Sequence, residues 1–148
     1  MKLTGAKRYL TTAIGGIIVL ILAASAASAE DPPPFLLEWG EEGTADGQFQ
    51  YPAGIDTDSL GNVYVGDSGN SRVQKFDANG THLLSWGSVG TGNGQFGAGG
   101  MRGVAVGPGD EIYVVDSFNI RVQVFNNTGV FQRQFSLNPG GSSGGHLY

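Results

Sequence analysis

The chain has 148 residues, 26 of them Gly and 6 Pro, with no Cys, 14% charged residues and a formal net charge of −5. The lack of Cys excludes a disulfide scaffold, a thiol nucleophile and a Cys-ligated zinc centre. The glycines follow no G-x-y period and sit among 40% hydrophobic residues, which excludes collagen and plain disorder and points to many short strands and turns.

Lys2, Lys7 and Arg8 make a basic start, and Tyr9 to Ala29 carries no charge. Ala27-Ser28-Ala29 is a small-x-small cleavage signal, followed by Glu30, Asp31 and the Pro32–Pro34 run. This is the layout of a secretory signal peptide over residues 1–29, expected as a hydrophobic helix, with an acidic, Pro-rich linker over residues 30–34. The alternative is an uncleaved membrane anchor over residues 9–29. Either way the rest is expected outside the cytoplasm, secreted or at the cell surface. Cleavage leaves 148 − 29 = 119 residues with 5 basic and 13 acidic side chains, a net charge near −8. A phosphate backbone requires clustered Lys and Arg, so nucleic acid is not an expected partner.

Residues 35–148 repeat themselves. Trp39-Gly40 recurs as Trp86-Gly87, and Gly47-Gln48-Phe49 as Gly94-Gln95-Phe96. From Tyr64 to Phe76, 9 of 13 positions are identical to Tyr113–Phe125. The offset grows from 47 to 49 at the loop Gly97-Ala98-Gly99-Gly100, where length change is cheap. An outer strand is expected over residues 35–39. A first unit over residues 54–87 holds strands at 54–57, 62–66, 72–76 and 81–86. A second over residues 103–136 holds strands at 103–106, 111–115, 121–125 and 130–135. Residues 137–148 read as an incomplete loop before a further unit. Four antiparallel strands every 40–50 residues is the pattern of a β-propeller blade.

The run Gly-x-Phe, Gly-Ile/Val, Tyr-Val-x-Asp-Ser-x-Asn-x-Arg-Val-Gln-x-Phe, a Gly turn and Trp/Phe resembles the NHL repeat. The resemblance covers Phe35 to Leu147. It implies an all-β fold, a partial six-bladed propeller whose Gly-Ile strand lines a central channel. Departures include Asp56 and Thr57 after Gly-Ile, and Gly107 where the first blade has Asp58.

Asp67, Asn70 and Arg72, with Asp116, Asn119 and Arg121, read as a structural device. A turn Asp or Asn bonds its own backbone, and Arg bridges carboxylates. A site is sought where the repeats differ. Asp56 and Asp58 share an inner-strand face and form a candidate cation site. Arg102 precedes the second inner strand and is a candidate contact for an anionic ligand. His82 and His146 have no metal-ligand spacing. Some NHL-like propellers are lyases with channel His residues, but no His falls on an inner strand here. No catalytic residue, metal or cofactor is expected. Asn79-Gly80-Thr81 and Asn126-Asn127-Thr128 are N-glycosylation sequons in accessible turns. Trp39, Trp86 and Phe135 are expected as aromatics packed between blades.

Two blades leave apolar faces and open edges. The expectation is therefore a fragment of a longer propeller, or a homo-oligomer in which three copies supply six blades. The functional expectation is an exported binding or scaffold module with a protein or glycan ligand. A truncated lyase or lactonase-like enzyme and a glycosylated envelope protein are the alternatives.

Overall fold

The computed structural model describes residues 37–138 in full, together with the backbone of residues 6–10 and 18–24. Two four-stranded antiparallel sheets follow one another along the chain. The first orders β6 (Pro52–Thr57), β7 (Val63–Asp67), β8 (Arg72–Phe76) and β9 (His82–Trp86). The second orders β10 (Met101–Val106), β11 (Ile112–Asp116), β12 (Arg121–Phe125) and β13 (Phe131–Ser136). Both are meanders, as expected of propeller blades. Each inner strand begins two residues earlier than the sequence suggests. Pro52 pairs with Asp67 and Met101 with Asp116, each across a bulge that absorbs the extra length.

Before blade one lie β3 (Leu37–Trp39) and a leading loop with a two-stranded parallel pair, β4 (Glu41–Glu42) on β5 (Gln48–Phe49). The second leading loop repeats this as a single Val89–Phe96 bridge. A 3-10 turn at Pro108–Asp110 joins β10 to β11.

Side-chain alternation gives each blade two faces. The leading face of blade one carries Val63, Val65 and Phe76, which bury with Phe49 under Trp39 and Ile55. Its trailing face offers Tyr64 and Val73. These pack into the leading face of blade two, formed by Ile112, Val114 and Phe125 with Phe96, Met101 and Val104. Trp86 closes this seam, 5.8 Å from the Phe125 ring and edge-on to Tyr64. Trp39 takes the same position against Phe76 and Phe49. Fully burying each such side chain contributes about 1.5–3 kcal/mol, so the seam is the main apolar bond between the blades.

Two expectations need correction. The N-terminal hydrophobic segment is not helical where its backbone is described. There β1 (Ala6–Leu10) pairs antiparallel with β2 (Ile18–Ala24), and β2 pairs with β3. Ile18, Val19 and Ile21 are β-branched and suit a strand, and β3 presents an open edge to pair with. Phe135 is 49% exposed rather than packed between blades. It lies on the trailing face of blade two, where no further blade stands among the described residues. The proposed cleavage site at Ala27–Ala29, the linker at 30–34, Phe35 and the segment 139–148 with His146 lie outside the described residues.

Candidate binding surface

The repeated polar residues pin each leading loop to the blade that follows it. Asp67 is fully buried, and its Oδ1 accepts the Gln50 amide at 2.8 Å. Its Oδ2 accepts Arg72 Nε at 2.8 Å, Asn70 Nδ2 at 2.9 Å and Gln74 Nε2 at 3.1 Å. Arg72 Nη2 then reaches the loop carbonyls of Ala45 and Gln48, and Asn70 reaches that of Gly43. Blade two repeats the set. Buried Asp116 accepts the Gly97 amide, Asn119 Nδ2 and Arg121 Nε. Arg121 also donates to the carbonyls of Thr91, Gly92 and Gln95. Gln74 and Gln123 each accept a loop amide and donate to a loop carbonyl. The Asp charge, desolvated by burial, is met by Arg, and Arg's remaining donors saturate loop carbonyls that would otherwise lack partners.

Asp56 and Asp58 are placed apart in role. Asp56 Oδ1 accepts its neighbour's amide at Thr57, and Oδ2 accepts Val106 N at 2.8 Å across the blade boundary. It stitches β6 to β10. Asp58 is buried and accepts the amides of Leu60 and Asn62, Asn62 Nδ2 and the Tyr64 hydroxyl. Burial alone would raise its pKa, but the bonds from Asn62, Tyr64 and Leu60 outweigh that and hold the carboxyl below its ordinary value. Burial and the Asp58 carboxylate together push the Tyr64 hydroxyl well above the usual tyrosine range. Among the described residues, no three His, Asp or Glu side chains are grouped to hold a metal.

Blade two lacks that Asp. Gly107 takes its slot, and a Cβ there would stand 2.6 Å from the Tyr113 ring. The Tyr113 hydroxyl turns instead to Glu111 at 2.9 Å. Arg133 grips Glu111 with both Nη atoms at 2.5 and 2.7 Å, and lies over the Tyr113 and Phe135 rings. The Arg133 bonds, then that from Tyr113, lower the Glu111 carboxyl to about 2.

His82 stands beside Ser85 and Asp46, a trio the sequence spacing does not reveal. His82 Nε2 is 2.7 Å from Ser85 Oγ and 3.5 Å from Asp46 Oδ1. A nucleophilic relay needs the carboxylate on the other ring nitrogen, so the geometry is not that of a triad.

The two sequons differ. Asn126 Oδ1 accepts the Thr128 and Val130 amides and the Thr128 hydroxyl, capping its turn as Asp77 caps the equivalent one in blade one. Asn79 is exposed.

Arg102 is exposed at the start of β10, with Nε 3.4 Å from Ser117 Oγ. At the same end of the blades, where the inner strands begin and β11 turns into β12, lie three exposed apolar or aromatic side chains: Tyr51 at 86% exposure, Phe118 at 71% and Ile120 at 53%. Their signal was present in the sequence. Phe118 and Ile120 replace Gly69 and Ser71, two of the four differences within the 13-residue core.

The NHL repeat pattern matches residues 49–76 and 102–125. The chain is 38% identical over 101 residues to B-box type zinc finger protein ncl-1 of Caenorhabditis elegans, covering 68% of this chain and 12% of that protein. It is 44% identical over 45 residues to NHL repeat-containing protein 3 of Homo sapiens, covering 29% and 13%. It is 31% identical over 98 residues to Protein brain tumor of Drosophila melanogaster, covering 66% and 10%. The matched region thus spans no more than 13% of the length of any of these relatives.

Proposed function

The chain belongs to the NHL repeat family, and from that premise we propose that it is an exported propeller segment that binds a protein partner at the cell surface without catalysing a reaction. One observation carries the reading. The repeated polar side chains are consumed in fastening the leading loops, while Tyr51, Arg102, Phe118 and Ile120, exposed residues that break the repeat, lie at the end of the blades where the inner strands begin. Binding sites concentrate on loops held by a rigid scaffold.

Export rests on the basic start, apolar run and Ala27-Ser28-Ala29 of the sequence. Cleavage there would remove β1 and β2 and free the outer edge of β3 for another strand. The trailing face of blade two, with Tyr113, Val115 and Val122 half-buried, is where a further blade would pack. In a host that N-glycosylates, Asn79 is the sequon expected to carry sugar.

The test has two arms. N-terminal sequencing of the exported protein should find Glu30 first, and a Met1 terminus retained in the cytoplasm would overturn export. Photo-crosslinking from Phe118 on the intact exported protein should give a discrete protein adduct that excess unlabelled protein competes away. Its absence would overturn the binding reading.

A further inference from the structure

Two of the four differences within the 13-residue core fall at one turn. Between β7 and β8 it reads Ser68-Gly69-Asn70-Ser71, and between β11 and β12 Ser117-Phe118-Asn119-Ile120. Gly69 lies hard against Gln50, where a Cβ would stand 2.7 Å from the Gln50 Cβ. In blade two the inserted glycines remove that obstacle. Gly97 and Gly100 form a bed under Phe118, whose Cβ stands 2.3 and 2.4 Å from where their own Cβ atoms would be. The ring is thereby raised into solvent. Ser71 sits at φ 51 and is buried, whereas Ile120 sits at φ 53 and is half-exposed. A β-branched residue is disfavoured in that left-handed conformation, and exposing it recovers nothing through burial. Folding alone therefore gives no reason for Phe118 and Ile120.

Arg102 is adjacent through Ser117. Five basic residues follow Glu30. Four have a carboxylate partner: Arg72 with Asp67, Lys75 with Asp58, Arg121 with Asp116 and Arg133 with Glu111. Arg102 has none among the described residues. Tyr51 stands at the same end, at the start of the neighbouring inner strand, with β6 and β10 in contact through Gly54 and Gly103.

We propose that Tyr51, Arg102, Phe118 and Ile120 form a docking rim for an extended segment of a partner protein that presents a carboxylate beside a bulky apolar side chain. The carboxylate supplies the counter-charge that Arg102 lacks, through a bidentate pair. The apolar side chain covers Phe118 and Ile120, and Tyr51 flanks it with a surface suited to protein interfaces. A single unpaired cation on an acidic fold matches one carboxylate, not a run of phosphates. The inference rests on the protein-binding reading above and names its site and ligand chemistry.

The test uses the full chain and fluorescence anisotropy with pools of short labelled peptides. One pool fixes a central Asp-Leu or Asp-Phe pair, and its control replaces Asp by Asn. The Asp pool should bind about tenfold more tightly than the Asn pool. Arg102→Gln should erase that preference. The double variant Phe118→Gly with Ile120→Ser, which restores the blade-one turn, should weaken both pools about tenfold while Tm holds or rises. Equal binding by wild type and Arg102→Gln, or undiminished binding by the turn variant, would overturn the proposal. So would Arg102-dependent binding of labelled oligouridine in place of peptide. If no peptide binds but the Phe118 crosslink persists, this ligand chemistry fails and the broader reading stands. If both are absent, both fail.

Discussion

Among the described residues, blade one is enclosed and blade two is open on one side. Tyr64 and Tyr113 occupy the same slot, yet Tyr64 is fully buried under the next blade and Tyr113 is not. The tyrosine hydroxyls show the consequence. Tyr64 hands its hydrogen bond to a buried Asp58, whereas Tyr113 uses a partly exposed Glu111 held by Arg133. The same repeat thus supports two electrostatic solutions, one sheltered and one solvated, and the neighbouring blade decides between them. Side chains that face a leading loop keep their identity. So do Tyr64 and Val73, which face the next blade and recur as Tyr113 and Val122, whereas the turn residues Gly69 and Ser71 change to the exposed Phe118 and Ile120.

That contrast can be broken first at the seam. Phe125→Ala should cost about 3–5 kcal/mol in chemical denaturation, whereas Phe135→Ala, on the open face, should cost under about 1 kcal/mol. Near-equal losses would mean that the trailing face of blade two is covered. Next come the loop fastenings. Asp67→Ala and Asp116→Ala should each cost about 3 kcal/mol, since each strands a largely buried Arg. Loss of one leading loop's hydrogen-exchange protection should accompany each.

The glycines of the inner strands sharpen the comparison further. Gly54 has φ +94, and a Cβ there would stand 2.6 Å from Val104 N. Gly103 is its counterpart, yet its nearest neighbour is Val115 Cγ2 at 3.9 Å. Gly54→Ala should destabilise by about 1–3 kcal/mol, whereas Gly103→Ala should fall within about 0.5 kcal/mol of wild type. A further blade packed on β10 would make Gly103→Ala costly too.

Smaller still is the effect of pH on Glu111. Its folded pKa, about 2, lies below the ordinary 4.5. The stabilisation it gives is therefore present above pH 4.5 and lost as pH falls toward 2. Carboxyl NMR titration should place its midpoint near 2, and Arg133→Gln should return it toward 4.5. Sugar is the last contrast. In a glycosylating host, peptide mapping should find it on Asn79 and not on Asn126, whose amide oxygen already caps its turn.

Much of the fold was legible because turns and periods are written locally. The third strand of each blade coincides with its expected bounds, and the others shift by one or two residues. The fastening of the leading loops was visible only in part. Asp67, Asn70 and Arg72 stand out, but their acceptors are backbone carbonyls some two dozen residues away, which leave no side-chain signature. The stitch made by Asp56 is hidden for the same reason, because its partner is the amide of Val106. The apolar N-terminal run was ambiguous in kind, since β-branched residues pair as strands as readily as they fill a hydrophobic helix. The rim around Arg102 was legible only in retrospect. Phe118 and Ile120 are plain departures from the repeat, but their exposure depends on the glycine bed and on a left-handed turn.

The central claim is that the repeated residues build the blades and the departures at one turn bind the partner. It is tested most directly by measuring Tm and peptide affinity side by side for Asp116→Ala and for Phe118→Gly with Ile120→Ser. The account predicts that the first loses stability, whereas the second keeps its Tm and loses binding. A turn variant that melts as early as Asp116→Ala, or that binds as wild type does, would contradict it.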